Sequence, residues 1–229
     1  GRKMFKYRAE ITKGEEIRYI SHLDYASIMQ RAICRAKLPA AYSEGFNPHM
    51  KIAFASALAV GVTSDAEYMD MELTKPLCQP EVFDRLRAQL PKGVELRQLK
   101  VVEGKHKALM AEVELAAYEI LVPLAGTQAA AAAAVQAFNA AERVMYRRVT
   151  PKKTREIEAK QYIRNVGILT EGEQLRLTMH IKITPSGSIK PGEILALLKE
   201  QFGLPVQPEQ AKIHRSALLG QGKSLLDLV

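Results

Sequence analysis

The sequence lacks a long apolar run and has too few cysteines for a disulfide framework. A membrane-spanning helix needs about 20 apolar residues, and the longest candidate, TQAAAAAAVQAFNAA, is alanine-rich and bounded by polar residues. No apolar signal-peptide core follows the N-terminus. The 2 cysteines, Cys34 and Cys78, permit at most one bridge. We therefore expect a cytoplasmic protein with no membrane partner.

The sequence motifs of cofactor chemistry are also missing. There is no Gly-rich phosphate loop of the Walker or dinucleotide type, no zinc-type Cys/His spacing and no nucleophile elbow. Two thiolates are too few for a four-iron cluster. We expect no cofactor, no metal and no small-molecule cofactor partner.

The composition is that of a folded protein with a basic balance. The 229 residues suit two domains, and 47% hydrophobic with 25% charged residues argues against disorder. The formal net charge is +8: residues 1–106 carry 17 Lys/Arg against 13 Asp/Glu, and residues 107–229 carry 16 against 12.

The order of elements predicts an α+β fold of two tandem ferredoxin-like (βαββαβ) domains, 1–106 and 107–229, joined near 103–110. In the first, MFKYRAEITK alternates as a strand, IRYI returns as a short strand, and Ser21 caps a helix whose apolar face includes Leu23 and Ile33. AEYMDMELT, a helix from Pro80 and PKGVELRQLKVV follow. The segments QPEVFDRLRAQLPKGVEL and KPGEILALLKEQFGLPVQ share a pattern that supports duplication.

The second domain repeats this order around a strongly basic segment. VELAAYEILVPL reads as a strand, the alanine run as a helix, and the segments either side of TEGE as a hairpin. Segment 143–164 concentrates basic residues, with Tyr146 and Tyr162 among them, as expected of an RNA-binding surface. A solvated charged face is the alternative. With Lys190 before a helix start, the candidate RNA-binding residues are Arg143, Arg147, Arg148, Lys152, Lys153, Arg155, Lys160, Arg164 and Lys190.

A second candidate site combines a helix start with the loop YSEGFNPHMK. A histidine in the first helical turn lies where free N–H groups favour anions, and it suits a general base or a phosphate donor. Asp24 would orient the ring or cap the helix. An ordinary helix start and loop are the competing interpretation. The motif surface consists of Ser21, His22, Asp24, Arg31, Ser43, Gly45, Phe46, Asn47, Pro48 and His49.

Two further features have simpler interpretations. Asp70 and Glu72 share one face of a strand and would bind a metal if His22 or His49 were near, but such acids more often pair with lysine. Cys34, inside an apolar helix, is expected to be a buried thiol.

The stretch from YISHLD through SEGFNPHMKIAFASALAVGVTSDAEYMDMEL resembles the bacterial radical-SAM-linked protein family. That family is a domain of unknown function fused to, or encoded beside, a radical SAM protein. The resemblance is dense over about residues 4–75, and Met50 departs from it where the family often has proline. It implies a radical SAM protein as partner and carries over no catalytic residue.

These observations lead to one favoured function and two alternatives. We expect a non-catalytic accessory protein of a radical SAM enzyme that binds and presents RNA or a ribonucleoprotein substrate. One alternative is a metal-independent endoribonuclease with His22 as base, resembling the CRISPR-repeat-processing nucleases in architecture. The other is a protein-only adaptor.

Overall fold

A computed structural model describes residues 3–229, and the chain divides into two compact units. The first unit runs to Val113 and also includes Leu218–Val229; the second is Glu114–Ala217. The boundary that the sequence suggests, between 106 and 107, lies close to this division. That prediction, however, places the C-terminal segment with the second domain, whereas its contacts are with the first unit.

The elements of the first unit are β1 Phe5–Lys13, α1 His22–Arg35, β2 Ile52–Phe54, β3 Thr63–Leu73, α2 Gln79–Arg87, β4 Leu96–Val102 and the short α3 Leu109–Glu112. Its strands pair in the order β4-β1-β3, with β2 added to β3, and each of these pairs is antiparallel. Helix α1 follows β1, and helix α2 connects β3 to β4.

The core of the first unit lies between its sheet and the inner face of α1. Strand β1 contributes Tyr7, Ala9 and Ile11, as the period-two pattern predicts, and Met69, Met71 and Leu73 of β3 are buried as expected. The inner face of α1 has the helical spacing i, i+4, i+7, i+8. It consists of Tyr25, Met29, Ala32 and Ile33.

Three local predictions for this unit are wrong. Leu23 is 78% exposed and Cys34 is exposed, because the inner face of α1 is rotated away from both. The segment expected to be a short strand is a 3₁₀ turn, Glu15–Ile17, followed by a bend. Its apolar residues Ile17 and Ile20 are three positions apart, and both pack on the core as a turn allows.

The elements of the second unit are β5 Leu115–Pro123, α4 Gln128–Ala140, β6 Met145–Val149, β7 Thr154–Glu158, β8 Val166–Glu171, β9 Gln174–Lys182, α5 Pro191–Phe202 and β10 Lys212–Gly220. Its main strands pair in the order β10-β5-β9-β8, with β5–β9 and β8–β9 antiparallel. The predicted hairpin around TEGE is formed by β8 and β9, and in β9 the buried residues are Leu175, Leu177, Met179 and Ile181.

Strands β6 and β7 form a separate two-stranded ribbon between α4 and β8. The sequence does not predict this ribbon, because its second strand runs into the segment read as one arm of the next hairpin. After β10, the chain ends with β11 Lys223–Ser224 and a short 3₁₀ turn, Leu225–Leu228.

The mixed α+β class is confirmed by these elements. Within residues 3–229, none of the helices combines the length and hydrophobicity that crossing a membrane requires.

Candidate functional site

The start of α1 is capped as predicted, but its histidine has a packing role. The Ser21 hydroxyl accepts a hydrogen bond from the backbone N–H of Asp24 at 3.1 Å. The His22 ring meets the Phe54 ring edge-on, with 5.1 Å between centroids. Asp24 is exposed, and in the described part of the chain no hydrogen bond joins its carboxylate to His22. The first turn of α1 is therefore anchored to β2 by an aromatic contact.

The loop after α1 has a closed base and an exposed tip. At the base, the Ser43 N–H donates to the His49 carbonyl and the His49 N–H donates to the Ser43 hydroxyl, both at 2.8 Å. At the tip, Gly45 has a φ of +117°, which favours glycine. The next residue, Phe46, is fully exposed. The loop is fixed at its base and presents an aromatic ring to solvent.

An open groove of about 510 Å³ lies between the outer face of α1 and this loop. It brings together three residues of the predicted motif surface, Arg31, Pro48 and His49. The other five residues that line the groove are not predicted from the sequence. Four groove residues on α1 have the spacing i, i+1, i+4, i+5, which is typical of one helix face: Gln30, Arg31, Cys34 and Arg35. We name this feature the α1 groove; it is lined by Gln30, Arg31, Cys34, Arg35, Tyr42, Pro48, His49 and Met50.

The predicted motif surface therefore splits into two parts. Ser21, His22 and Asp24 lie at the start of α1, about 13 Å along the helix from Arg31 at 1.5 Å per residue. Arg31, Pro48 and His49 line the α1 groove. The structure does not gather all ten predicted residues into one site.

The acids of β3 lie beside basic residues, as in the simpler interpretation of the sequence. The carboxylate of Asp70 accepts hydrogen bonds from Arg8 Nε at 2.7 Å and Nη2 at 3.0 Å. Glu72 lies 4.0 Å from Lys51 Nζ. Among residues 3–229, no three His, Cys, Asp or Glu side chains converge as a metal site would require.

Within the basic segment, Arg148 is held by an ion pair inside the second unit. Its guanidinium donates to both carboxylate oxygens of Glu193, at 2.8 and 2.6 Å, and to the Ser188 carbonyl at 3.0 Å. Burial raises the pKa of Glu193, but the hydrogen bonds from Arg148 and the Lys190 N–H outweigh it and lower that pKa. Arg148 is therefore engaged within the fold, and its contact with a phosphate stays a prediction.

Lys160 and the backbone of Lys190 also make contacts within the second unit. The Lys160 ammonium donates to the Arg164 carbonyl at 2.7 Å and lies 4.1 Å from the Phe138 ring centroid, and burial lowers its pKa. Lys190 is exposed before α5, but its backbone N–H donates to Glu193 Oε1 at 2.9 Å. A carboxylate thus already occupies the helix start that was expected to bind phosphate.

Seven predicted cations are exposed and make no ion pair within residues 3–229: Arg143, Arg147, Lys152, Lys153, Arg155, Arg164 and Lys190. Four of them lie on the β6–β7 ribbon or its turn, and we call these four the ribbon cations: Arg147, Lys152, Lys153 and Arg155. The turn is fixed because the Thr150 hydroxyl donates to the Lys153 carbonyl at 2.8 Å. Tyr146 and Tyr162 are half-buried. Some cations of the basic segment are thus held by contacts within the fold, and the others are exposed without an ion pair.

A family model described as "uncharacterized protein conserved in bacteria (DUF2344)" matches residues 6–191. The chain belongs to this bacterial family. The match includes β1, the α1 groove and the ribbon, and it ends at the first residue of α5.

Comparison with solved structures shows the fold alone. A Cbf5-Nop10-Gar1 complex is similar with a TM-score of 0.51 and 8% identity, over 95% of this chain and 50% of that chain. An H/ACA RNP bound to a substrate RNA containing 2′-deoxyuridine gives a TM-score of 0.48 and 9% identity, over 93% and 49%. The chain spans about half the length of these neighbours. No protein of curated function matches it.

Proposed function

We propose that this member of the DUF2344 family binds RNA through the ribbon cations. The observation that carries the proposal is the absence of ion-pair partners, within residues 3–229, for Arg147, Lys152, Lys153 and Arg155 on one short ribbon. Clustered unpaired cations release counterions from a nucleic-acid backbone, and this release favours binding without reading sequence. Tyr146 and Tyr162 are too buried to act as open stacking platforms, so the contacts would be mainly to phosphates.

Each unit is, in our proposal, a ferredoxin-like domain. The order β4-β1-β3-β2 of the first unit and β10-β5-β9-β8 of the second place corresponding strands in corresponding positions. Helices α1 and α2 occupy the two connections in the first unit, as α4 and α5 do in the second. The β6–β7 ribbon is then an insertion in the second domain, where it can carry function without interrupting the core.

The accessory role follows from the family resemblance. We propose a non-catalytic cytoplasmic protein that presents RNA or a ribonucleoprotein to a radical SAM enzyme. The loop that ends in exposed Phe46 supports this role, because exposed aromatic rings are favoured at protein interfaces. The α1 start and the loop would contact that enzyme or the substrate.

The test is to mix the purified protein with cellular RNA in EDTA across a salt series and then to run the RNA on a gel. Salt-sensitive binding that leaves the RNA intact is the expected result. Discrete fragments, lost in His22→Ala, would instead establish an endoribonuclease. No binding at low salt would leave a protein-only adaptor and overturn the proposal.

A further inference from the structure

We propose that the α1 groove is a nucleotide site that binds a phosphate group and one base. It is separate from the ribbon in sequence and belongs to the other unit. The inference deepens the proposed RNA binding and rests on it for the source of the nucleotide.

The phosphate end of the site would be formed by two arginines of α1. Arg31 and Arg35 are four residues apart, so they lie on the same face of the helix. Arg35 Nη2 donates to the Gln89 carbonyl at 2.8 Å, which fixes the guanidinium and leaves further N–H donors. Arg31 is exposed and makes no ion pair in the described part of the chain. A guanidinium matches phosphate oxygens with two parallel hydrogen bonds.

The charge of the groove favours an anion. None of the eight residues lining it within the described chain is acidic, and two of them, Arg31 and Arg35, are permanently charged cations. Lys51, next in sequence after the groove residue Met50, lies near Glu72 instead. The groove is therefore a cationic concavity rather than a neutral one.

The base end would be formed by Tyr42. This residue is 48% exposed, and it is held by a backbone bridge to Met50 and by a 3.9 Å contact between its hydroxyl and Cys34 Sγ. Stacking of a base on an aromatic ring contributes to the affinity of single-strand binders whatever the base. The volume of about 510 Å³ falls within the range of small-molecule sites, about 300–1,000 Å³.

The shared chemistry, a phosphate with an adjacent base, is found both in a free nucleotide and in a single-stranded RNA. Binding of adenosine 5′-monophosphate and of inorganic phosphate to the full chain would be measured at low salt by calorimetry, with NMR to locate the shifts. A single-stranded hexanucleotide with a 5′-phosphate is the third probe. In a variant with the four ribbon cations changed to Glu, hexanucleotide binding at least tenfold tighter than mononucleotide binding would identify an RNA strand as the ligand of the groove, and equal affinity a free nucleotide.

The variants separate the two ends of the site. Arg31→Ala is expected to weaken both adenosine 5′-monophosphate and phosphate about tenfold or more, because a charged hydrogen-bond pair is lost. Tyr42→Ala is expected to weaken only the nucleotide, and Tyr42→Phe to retain its binding. Lys105→Ala is the matched control, since Lys105 is exposed and follows β4, at the opposite edge of the strand order from β2.

The inference is overturned if the mononucleotide shows no saturable binding, or if Arg31→Ala behaves like Lys105→Ala. Its failure is distinguishable from failure of the proposed function. Changing the ribbon cations to glutamate should remove binding of long RNA but should not change binding of the mononucleotide to the α1 groove. Ribbon-dependent RNA binding without mononucleotide binding would remove the groove inference alone. Mononucleotide binding with a ribbon that has no effect would remove the proposed function alone.

Discussion

Arg8 is a fully buried cation whose partners come from three distant parts of the chain. Besides its paired bonds to Asp70, Nη1 donates to Glu112 Oε2 at 2.6 Å and to the Leu225 carbonyl at 2.8 Å. The guanidinium joins β1, β3, α3 and the C-terminal segment within the first unit. Burial opposes the charge, but the bonds to the two carboxylates outweigh it and raise the pKa of Arg8.

Replacing Arg8 should destabilise the protein strongly. Arg8→Met leaves two buried carboxylates without their cation, and breaking a buried pair in this way costs about 3–5 kcal/mol. Urea unfolding measures the loss. Arg97→Ala is the control, because Arg97 is half-exposed at 3.6 Å from Glu10, and such a pair contributes at most about 1 kcal/mol. Equal effects of the two variants would contradict the assigned role of Arg8.

Glu193 should make the second unit sensitive to acid. Because its pKa is lowered in the folded state, its stabilising contribution is complete above its unfolded pKa, about 4.3, and is lost as pH falls through the depressed folded value. Glu193→Gln should therefore lose less stability than the wild type between about pH 5 and pH 2. Thermal unfolding across that range measures the difference. Glu200→Gln, exposed on the same helix, should keep the wild-type dependence, and an identical curve for Glu193→Gln would refute the assignment.

At the scale of elements, local periodicity predicts most of the fold but not what its polar residues contact. The alternation of β1 correctly places Tyr7, Ala9 and Ile11 in the core. It also places Arg8 on a polar face, which is wrong, because β1 is buried on both sides and the acids that pair with Arg8 are 62 and 104 residues away. No local pattern carries that information.

The same limit applies to the candidate sites. The basic segment is visible in the sequence, but which of its cations are free depends on Glu193, 45 residues beyond Arg148. The sequence predicts only three of the eight residues that line the α1 groove, because Tyr42 and Arg35 meet there through the path of the loop. Cys34 was misplaced because one residue along a helix rotates a side chain by about 100°.

Strand β10 should tolerate no side chain at Gly220. A Cβ atom there would lie 2.2 Å from the backbone oxygen of Glu112, so the strand end and α3 would have to separate within the first unit. We expect Gly220→Ala to destabilise the protein by about 1–3 kcal/mol, the usual cost of overpacking. The change is measured as a shift of the urea midpoint.

Gly192→Ala provides the control for this prediction. The nearest atom to a Cβ at that position is Ile213 Cδ1 at 3.8 Å, and alanine favours a helix over glycine by about 1 kcal/mol. Gly192→Ala should therefore leave stability unchanged or raise it. Gly220→Ala as stable as the wild type would show that β10 and α3 are not packed as described.

Across the whole molecule, the two halves of the sequence have equal net charge, so net charge alone does not indicate which unit would bind RNA. The structure distinguishes between cations that pair inside the fold, such as Arg148 and Lys160, and those that remain free. In our proposal the ribbon cations determine the affinity for RNA. The fold of the second unit positions these cations, and the fold of the first unit positions the α1 groove. Affinity should then depend on salt, because phosphate contacts release counterions.

The most direct measurement is the salt dependence of single-stranded RNA binding, with fluorescence anisotropy as the readout. It compares the wild type with a ribbon variant in which all four ribbon cations are replaced: Arg147→Glu/Lys152→Glu/Lys153→Glu/Arg155→Glu. Four phosphate contacts predict a slope of log Kobs against log salt of about −3, and the variant should lose both binding and slope. In the control variant, four lysines that are exposed in the first unit are changed to glutamate: Lys75, Lys92, Lys105 and Lys107. This control should retain most of the wild-type affinity for RNA. Unchanged affinity and slope in the ribbon variant would contradict the account.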